Sequence, residues 1–159
     1  MNAIERTLAV LAHRRPDRRP VDLHNFQPAA AMLGLPLREV FKNSDLIAHH
    51  ICGNTAPILD DFIATGAQIT EIDHKPDLAK ARDAAQGKTT ILGSIDTNLL
   101  AFGTPDEVDA ACREAIEVMR VGKDFHTNFI LGPGCVLDAK TPAENIHALV
   151  EAAKKHGRN

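Results

Sequence analysis

The feature that most restricts how this chain can fold is an alternation. Short apolar or β-branched runs recur along it, each followed by a stretch whose apolar residues have helical spacing. Parallel strands cannot be joined by a tight turn and need a crossover, so this pattern predicts an α/β fold with a parallel sheet. The expected strands are Pro20 to Phe26, Leu46 to Cys52, Gln68 to Asp73, Thr89 to Asp96 and Asn128 to Gly132. Asn54-Thr55 leads into Ile58, Leu59, Phe62 and Ile63 before Gly66, and Pro76-Asp77 leads into Leu78, Ala81 and Ala85 before Gly87. A polar cap before and a glycine after mark helix boundaries.

Two further helix starts share one chemistry, Thr104-Pro105-Asp106-Glu107 and Thr141-Pro142-Ala143-Glu144. Each offers a capping hydroxyl, a proline where its missing N–H costs nothing, and a carboxylate placed to reach back to the cap. The first helix carries Val108, Ala111, Cys112, Ala115 and Met119 on one face, which assigns Cys112 to the core. The second carries Ile146, Leu149, Val150 and Ala153 and ends in Lys154, Lys155 and His156, cations suited to the negative helix end. Upstream, Ile4, Leu8 and Leu11 predict an N-terminal helix, followed by an Arg/Pro-rich turn.

A chain of 159 residues with 44% hydrophobic content can bury one sizeable core. The expected organisation is one β/α domain over 1–159: an N-terminal helix, first strand and connecting helices in 1–45, then βα units in 46–159. With 18 basic against 21 acidic residues, 6 Phe, and neither Trp nor Tyr, the sequence offers no phosphate-backbone footprint and no stacking platform, so no nucleic-acid partner is expected. No run of about 20 apolar residues is present, and the start Met1-Asn2-Ala3-Ile4-Glu5-Arg6 lacks an apolar signal segment. A cytoplasmic protein without a membrane role is expected. Three cysteines at irregular spacing then read as free thiols or metal ligands rather than a disulfide framework.

In parallel β/α folds the functional rim lies at the carboxyl ends of the strands. That rule selects His50 and Cys52, Asp73, Asp96, and Cys135 after Gly132-Pro133-Gly134. Residues at i and i+2 of a strand face one side, so His50 and Cys52 can converge while His49 points away. The glycines flanking Pro133 let the backbone of Cys135 come close. Two sulfurs and one nitrogen suit zinc and leave a fourth position open for an incoming thiol. By spacing alone, buried thiols and a satisfied histidine explain the same residues. Asp73 and Asp96 could contact substrate or orient a ligand, or cap the segments that follow. His24 and Asn25 read as an exposed polar pair; His74, His126, His147 and His156 read as surface or helix-end residues.

Several segments resemble the C-terminal half of the uroporphyrinogen decarboxylase superfamily: His50-Ile51-Cys52-Gly53-Asn54-Thr55-Ala56-Pro57-Ile58-Leu59, Leu92-Gly93-Ser94-Ile95-Asp96-Thr97, Gly103-Thr104-Pro105-Asp106-Glu107-Val108, Phe129-Ile130-Leu131-Gly132-Pro133-Gly134-Cys135 and Thr141-Pro142-Ala143-Glu144-Asn145-Ile146. Arg6 to Leu11 and Pro16 to Val21 resemble that family's opening helix and first strand. Within the superfamily the resemblance is greatest to zinc-dependent methyltransferases that move a methyl group from a corrinoid protein to a thiol such as coenzyme M. It implies zinc at His50, Cys52 and Cys135, and methylcobalamin on a partner protein as methyl donor. The decarboxylases carry an arginine-rich motif after the first strand, where this chain reads Val21-Asp22-Leu23-His24-Asn25-Phe26-Gln27.

The family fold is an eight-stranded β/α barrel, for which about 250 residues is typical. The pattern here jumps near Asp45 to His49, leaving out about three central βα units of such a barrel. A partial barrel of about five parallel strands is therefore expected, with the first strand beside the last, two open edges and an exposed apolar face. Self-association, as a homodimer or larger, would cover them. Two other readings stay open: a non-catalytic, self-associating binding module, and a decarboxylase-like enzyme.

Overall fold

A computed structural model describes residues 6, 9, 10, 12, 14, 16, 17, 48–121, 124, 125 and 128–158. The expected first strand, Pro20 to Phe26, with His24, Asn25 and His126, lies outside the described residues.

Strand β1 (Ala48–Ile51) is followed by a 3₁₀ turn (Ala56–Ile58) and helix α1 (Leu59–Ala64). Next come β2 (Ile69–Ile72), α2 (Leu78–Ala85) and β3 (Thr90–Ile95). Helices α3 (Thr97–Phe102) and α4 (Pro105–Val118) follow, then a small hairpin of β4 (Arg120–Val121) and β5 (Asp124–Phe125). Strand β6 (Phe129–Pro133) and helix α5 (Ala143–His156) complete the order. Among the described residues, β1, β2, β3 and β6 form a parallel sheet in that order. The alternation in the sequence thus becomes a partial β/α barrel, four of its strands being described. The hairpin and α3 were not anticipated. No helix among the described residues is long and apolar enough to cross a membrane.

The strands β2, β3 and β6 are buried almost throughout, as expected where both faces of a parallel sheet are covered. On one face, Ile72, Ile91, Ile95, Phe129 and Leu131 pack with Val108, Cys112, Ile116 and Leu149 of α4 and α5. Each such side chain, fully buried, contributes about 1.5–3 kcal/mol. On the other face, Ile69, Leu92 and Ile130 pack with Val10 of the N-terminal segment. In the same segment, Arg6 Nε and Nη2 donate to the two carboxylate oxygens of Asp17 at 2.6 and 2.7 Å. The expectation of an exposed apolar sheet face is corrected: Leu92 and Ile130 are 3% and 2% exposed.

The helix starts divide. Thr104 forms the full capping box: its hydroxyl accepts from Glu107 N, and its own N–H donates to Glu107 Oε2 at 2.8 Å. Thr141 does not. The cap of α5 is Pro142, and the buried Thr141 hydroxyl has no hydrogen-bond partner among the described residues. The Thr141 backbone N–H instead donates to Asp138 O at 3.0 Å, which closes a turn before the helix begins. The buried stripe of α5 is also rotated from the expected one. Asn145, Leu149, Ala152 and Ala153 are buried, whereas Ile146 and Val150 are partly exposed. Asn145 faces inward because its Nδ2 donates to Leu100 O and Gly103 O at the end of α3, satisfying carbonyls that a helix end leaves unpaired.

Candidate metal centre

Strand β1 brings two histidines to its end and the pleat sends them to opposite faces. His49 turns to the helix side, where its ring stacks on Phe62 with centroids 3.9 Å apart. Its Nε2 lies 2.9 Å from Thr70 Oγ1, and burial pushes its pKa down. His50 turns to the other face, with Nε2 3.1 Å from Cys52 Sγ. Cys52 Sγ is in turn 3.4 Å from Cys135 Sγ, and the three ligand atoms all lie within 4.8 Å of one another.

This contact joins the two outermost described strands. Neighbouring strands lie about 4.8 Å apart, so in a flat sheet the ends of β1 and β6, three spacings apart, would be separated by roughly 14 Å. Sulfur–sulfur contact therefore requires a curled sheet and loops that lean inward over its carboxyl rim. Local chemistry supplies the lean. Gly53, at φ +90°, turns the chain just after Cys52, and its N–H donates to Asp73 Oδ2 at 2.7 Å. On the other side, Gly134 donates to Ile95 O at 2.7 Å and packs so closely on the Asp73–His74 backbone that a Cβ there would lie 2.8 Å from His74 N.

Asp73 is thus the anchor beneath the rim. One oxygen accepts from Gly53, the other from His74 N at 2.6 Å, and His74 Nδ1 lies 2.6 Å from that same oxygen. Burial raises its pKa, but these donors outweigh burial and the net shift is downward. Asp96 caps α3 by accepting from Asn98 N at 2.8 Å. It also lines a cleft of about 390 Å³ with His74, Ser94, Leu99 and Glu114.

Two residues at the rim have no role in the sequence reading, which leaves Glu71 unnamed and takes His74 as a surface or helix-end residue. Glu71, buried on β2 opposite His50 in the register, has Oε1 3.6 Å from His50 Nδ1, the nitrogen turned away from the sulfurs. Its signal was its position two residues before Asp73, on the same strand face. His74 lies between Asp73 and Asp96, with Nδ1 3.6 Å from Asp96 Oδ1. Cys112 is separate from the site. It is fully buried, and burial pushes its thiol up to about 12. The Cys135 thiol is also raised, by burial first and then by the neighbouring Cys52.

Fold and site define a class: a partial β/α barrel that carries a His-x-Cys pair and a distant cysteine on its carboxyl rim. The chain belongs to the uroporphyrinogen decarboxylase (URO-D) family, whose sequence profile matches residues 37–156. It is 33% identical over 108 residues to the methylcobamide:CoM methyltransferase MtbA of Methanosarcina acetivorans, an alignment covering 67% of this chain and 29% of that protein. It is 26% identical over 100 residues to a uroporphyrinogen decarboxylase of Burkholderia thailandensis, covering 63% of this chain and 26% of that protein. Among solved structures, a methyltransferase from Methanosarcina mazei superposes with a TM-score of 0.61 at 30% identity, over 71% of this chain and 32% of that one. The chain therefore spans about three-tenths of the length of the curated relatives it matches.

Proposed function

We propose that His50, Cys52 and Cys135 hold zinc, and that the chain serves methyl transfer from a methylated corrinoid, on a partner corrinoid protein, to a small thiol. The observation that carries this reading is the convergence of one imidazole nitrogen and two sulfurs within 4.8 Å on the rim. The donor set suits zinc. With Zn–S near 2.3 Å and Zn–N near 2.0–2.1 Å, a tetrahedron sets a nitrogen and a sulfur roughly 3.6 Å apart and two sulfurs roughly 3.8 Å apart. The contacts here, 3.1 Å for nitrogen to sulfur and 3.4 Å between sulfurs, are each within about 0.5 Å of those edges. When bound, zinc supplies a Lewis acid that favours the thiolate form of a thiol in the open fourth position.

The chain's own residues prepare that chemistry. Glu71 stands behind His50 Nδ1 and favours the tautomer protonated there, which leaves the Nε2 lone pair toward the sulfurs. Asp73 holds the loop that follows Cys52 through Gly53. Asp96, on the cleft, is assigned a substrate contact, and Asp73 a substrate-side role through the same rim. The methyltransferase relatives and neighbour favour this activity over decarboxylation. The exposed apolar side chains of Ile51, Phe102 and Val136 favour a second reading, a non-catalytic binding module that self-associates.

Metal analysis under reducing conditions tests the first step. About one zinc per chain is expected, lost in Cys52→Ala and Cys135→Ala; far less than one in the unaltered protein overturns the metal assignment. Methyl transfer from methylcobalamin to a panel of thiols tests the second. Full zinc loading with no transfer selects the non-catalytic reading.

A further inference from the structure

The two rim sulfurs are near enough to react with each other. Cys52 Sγ and Cys135 Sγ are 3.4 Å apart, and a disulfide places its sulfurs about 2.05 Å apart, so the bond requires an approach of roughly 1.4 Å. Both residues stand beyond the ends of their strands, Cys52 just after β1 and Cys135 two residues after β6. The movement therefore falls on loop backbone rather than on a hydrogen-bonded ladder. Cys52 is exposed and Cys135 partly so, which leaves the pair open to a small oxidant.

We propose that Cys52 and Cys135 form a reversible disulfide under peroxide, and that disulfide and metal are mutually exclusive states of the same two sulfurs. The exclusivity rests on the metal reading above; the disulfide itself does not. The chemistry balances with peroxide as oxidant. The exposed Cys52 sulfur attacks a peroxide oxygen, the O–O bond breaks, and a sulfenic acid and water result. The Cys135 sulfur then attacks the Cys52 sulfur. The S–S bond forms, the S–OH bond breaks, and the leaving hydroxide takes the Cys135 proton as a second water. Two thiols lose two electrons and one peroxide gains them. A dithiol reductant reverses the change by exchange. A metal engages the lone pairs that both attacks need, so occupancy protects the pair. Because the bond joins the two outermost described strands, it also staples the rim of the open sheet. Cys112, fully buried, takes no part.

The test treats the full chain with stoichiometric hydrogen peroxide, after chelation or after loading with zinc chloride, then alkylates under denaturing conditions and records intact mass and peptide map. The metal-free protein should lose 2 Da, retain one alkylatable thiol and yield a Cys52–Cys135 linked peptide; dithiothreitol should restore three thiols. Cys112→Ser should leave the reaction unchanged. Zinc should slow it at least tenfold. Stepwise addition of oxygen to single cysteines, or linkage only between chains, overturns the disulfide. An equal rate with zinc demonstrably bound overturns the exclusivity. If the protein forms the link but equilibrium dialysis shows no zinc binding, the metal reading fails while the redox pair stands.

Discussion

At the scale of single residues, the site depends on side chains that need not touch a metal. Glu71 faces His50 Nδ1 at 3.6 Å, and carboxylates in that position hold a ligand imidazole in one tautomer and orientation. Glu71→Gln should weaken zinc binding about 10- to 100-fold. Competition with a chromophoric chelator measures it, and unchanged affinity would remove Glu71 from the site. Asp73 adds a pH signature. Its carboxyl sits below its ordinary value of 3.8, because backbone donors from Gly53 and His74 outweigh burial. A depressed folded-state value stabilises the fold at pH well above 3.8, and that contribution is lost as pH falls below 3.8 through the folded value. Acid titration of the metal-free protein should therefore show Asp73→Asn less stable near neutrality and less sensitive to pH in the acid limb.

At the scale of elements, two sequence motifs of the same chemistry met different fates, and the difference is measurable. Thr104 makes both bonds of its capping box, so Thr104→Ala should cost about 1 kcal/mol in urea unfolding. Among the described residues Thr141 makes no cap bond and its buried hydroxyl has no partner, so Thr141→Val should be neutral or stabilising. Equal losses at the two positions would contradict the assigned helix start. The turn into Cys135 gives a sharper case. A methyl at Gly134 would press on backbone atoms of Asp73 and His74, the nearest at 2.8 Å, which cannot yield as a flexible side chain would. Gly134→Ala should cost about 1–3 kcal/mol, as overpacking does, and should also weaken zinc binding by moving the Cys135 loop. Calorimetry read beside the chelator assay separates the two effects.

At the scale of the whole molecule, the sheet is an arc of a barrel with β1 at one edge among the described residues. Ile51 on that edge is 42% exposed, and Phe102 and Val136 are more exposed still. The apolar face that would have demanded cover is already buried with Val10. The case for self-association thus rests on the edge and on exposed apolar residues rather than on a bare sheet face. A homodimer or larger assembly is the expected state in multi-angle light scattering, and a stable monomer at micromolar concentration would exclude it.

By itself the sequence determined what local chemistry controls. The alternation of apolar runs set a parallel β/α order, and period two along β1 separated His50 from His49. The rim rule then placed Cys52, Asp73, Asp96 and Cys135 on one side. The buried role of Cys112 was equally legible from its helical spacing. Tertiary structure decided what depends on distant partners. Thr141 lost its cap to a turn at Asp138, Asn145 was drawn inward by the open carbonyls at the end of α3, and Glu71 became part of the site only through pairing of β2 with β1. The same holds for the central contact. A 3.4 Å approach between sulfurs 83 positions apart depends on how far the sheet curls and how Asp73 pulls in the neighbouring loop. Strand patterns carry no measure of that curl, because it accumulates over every pairing in the sheet.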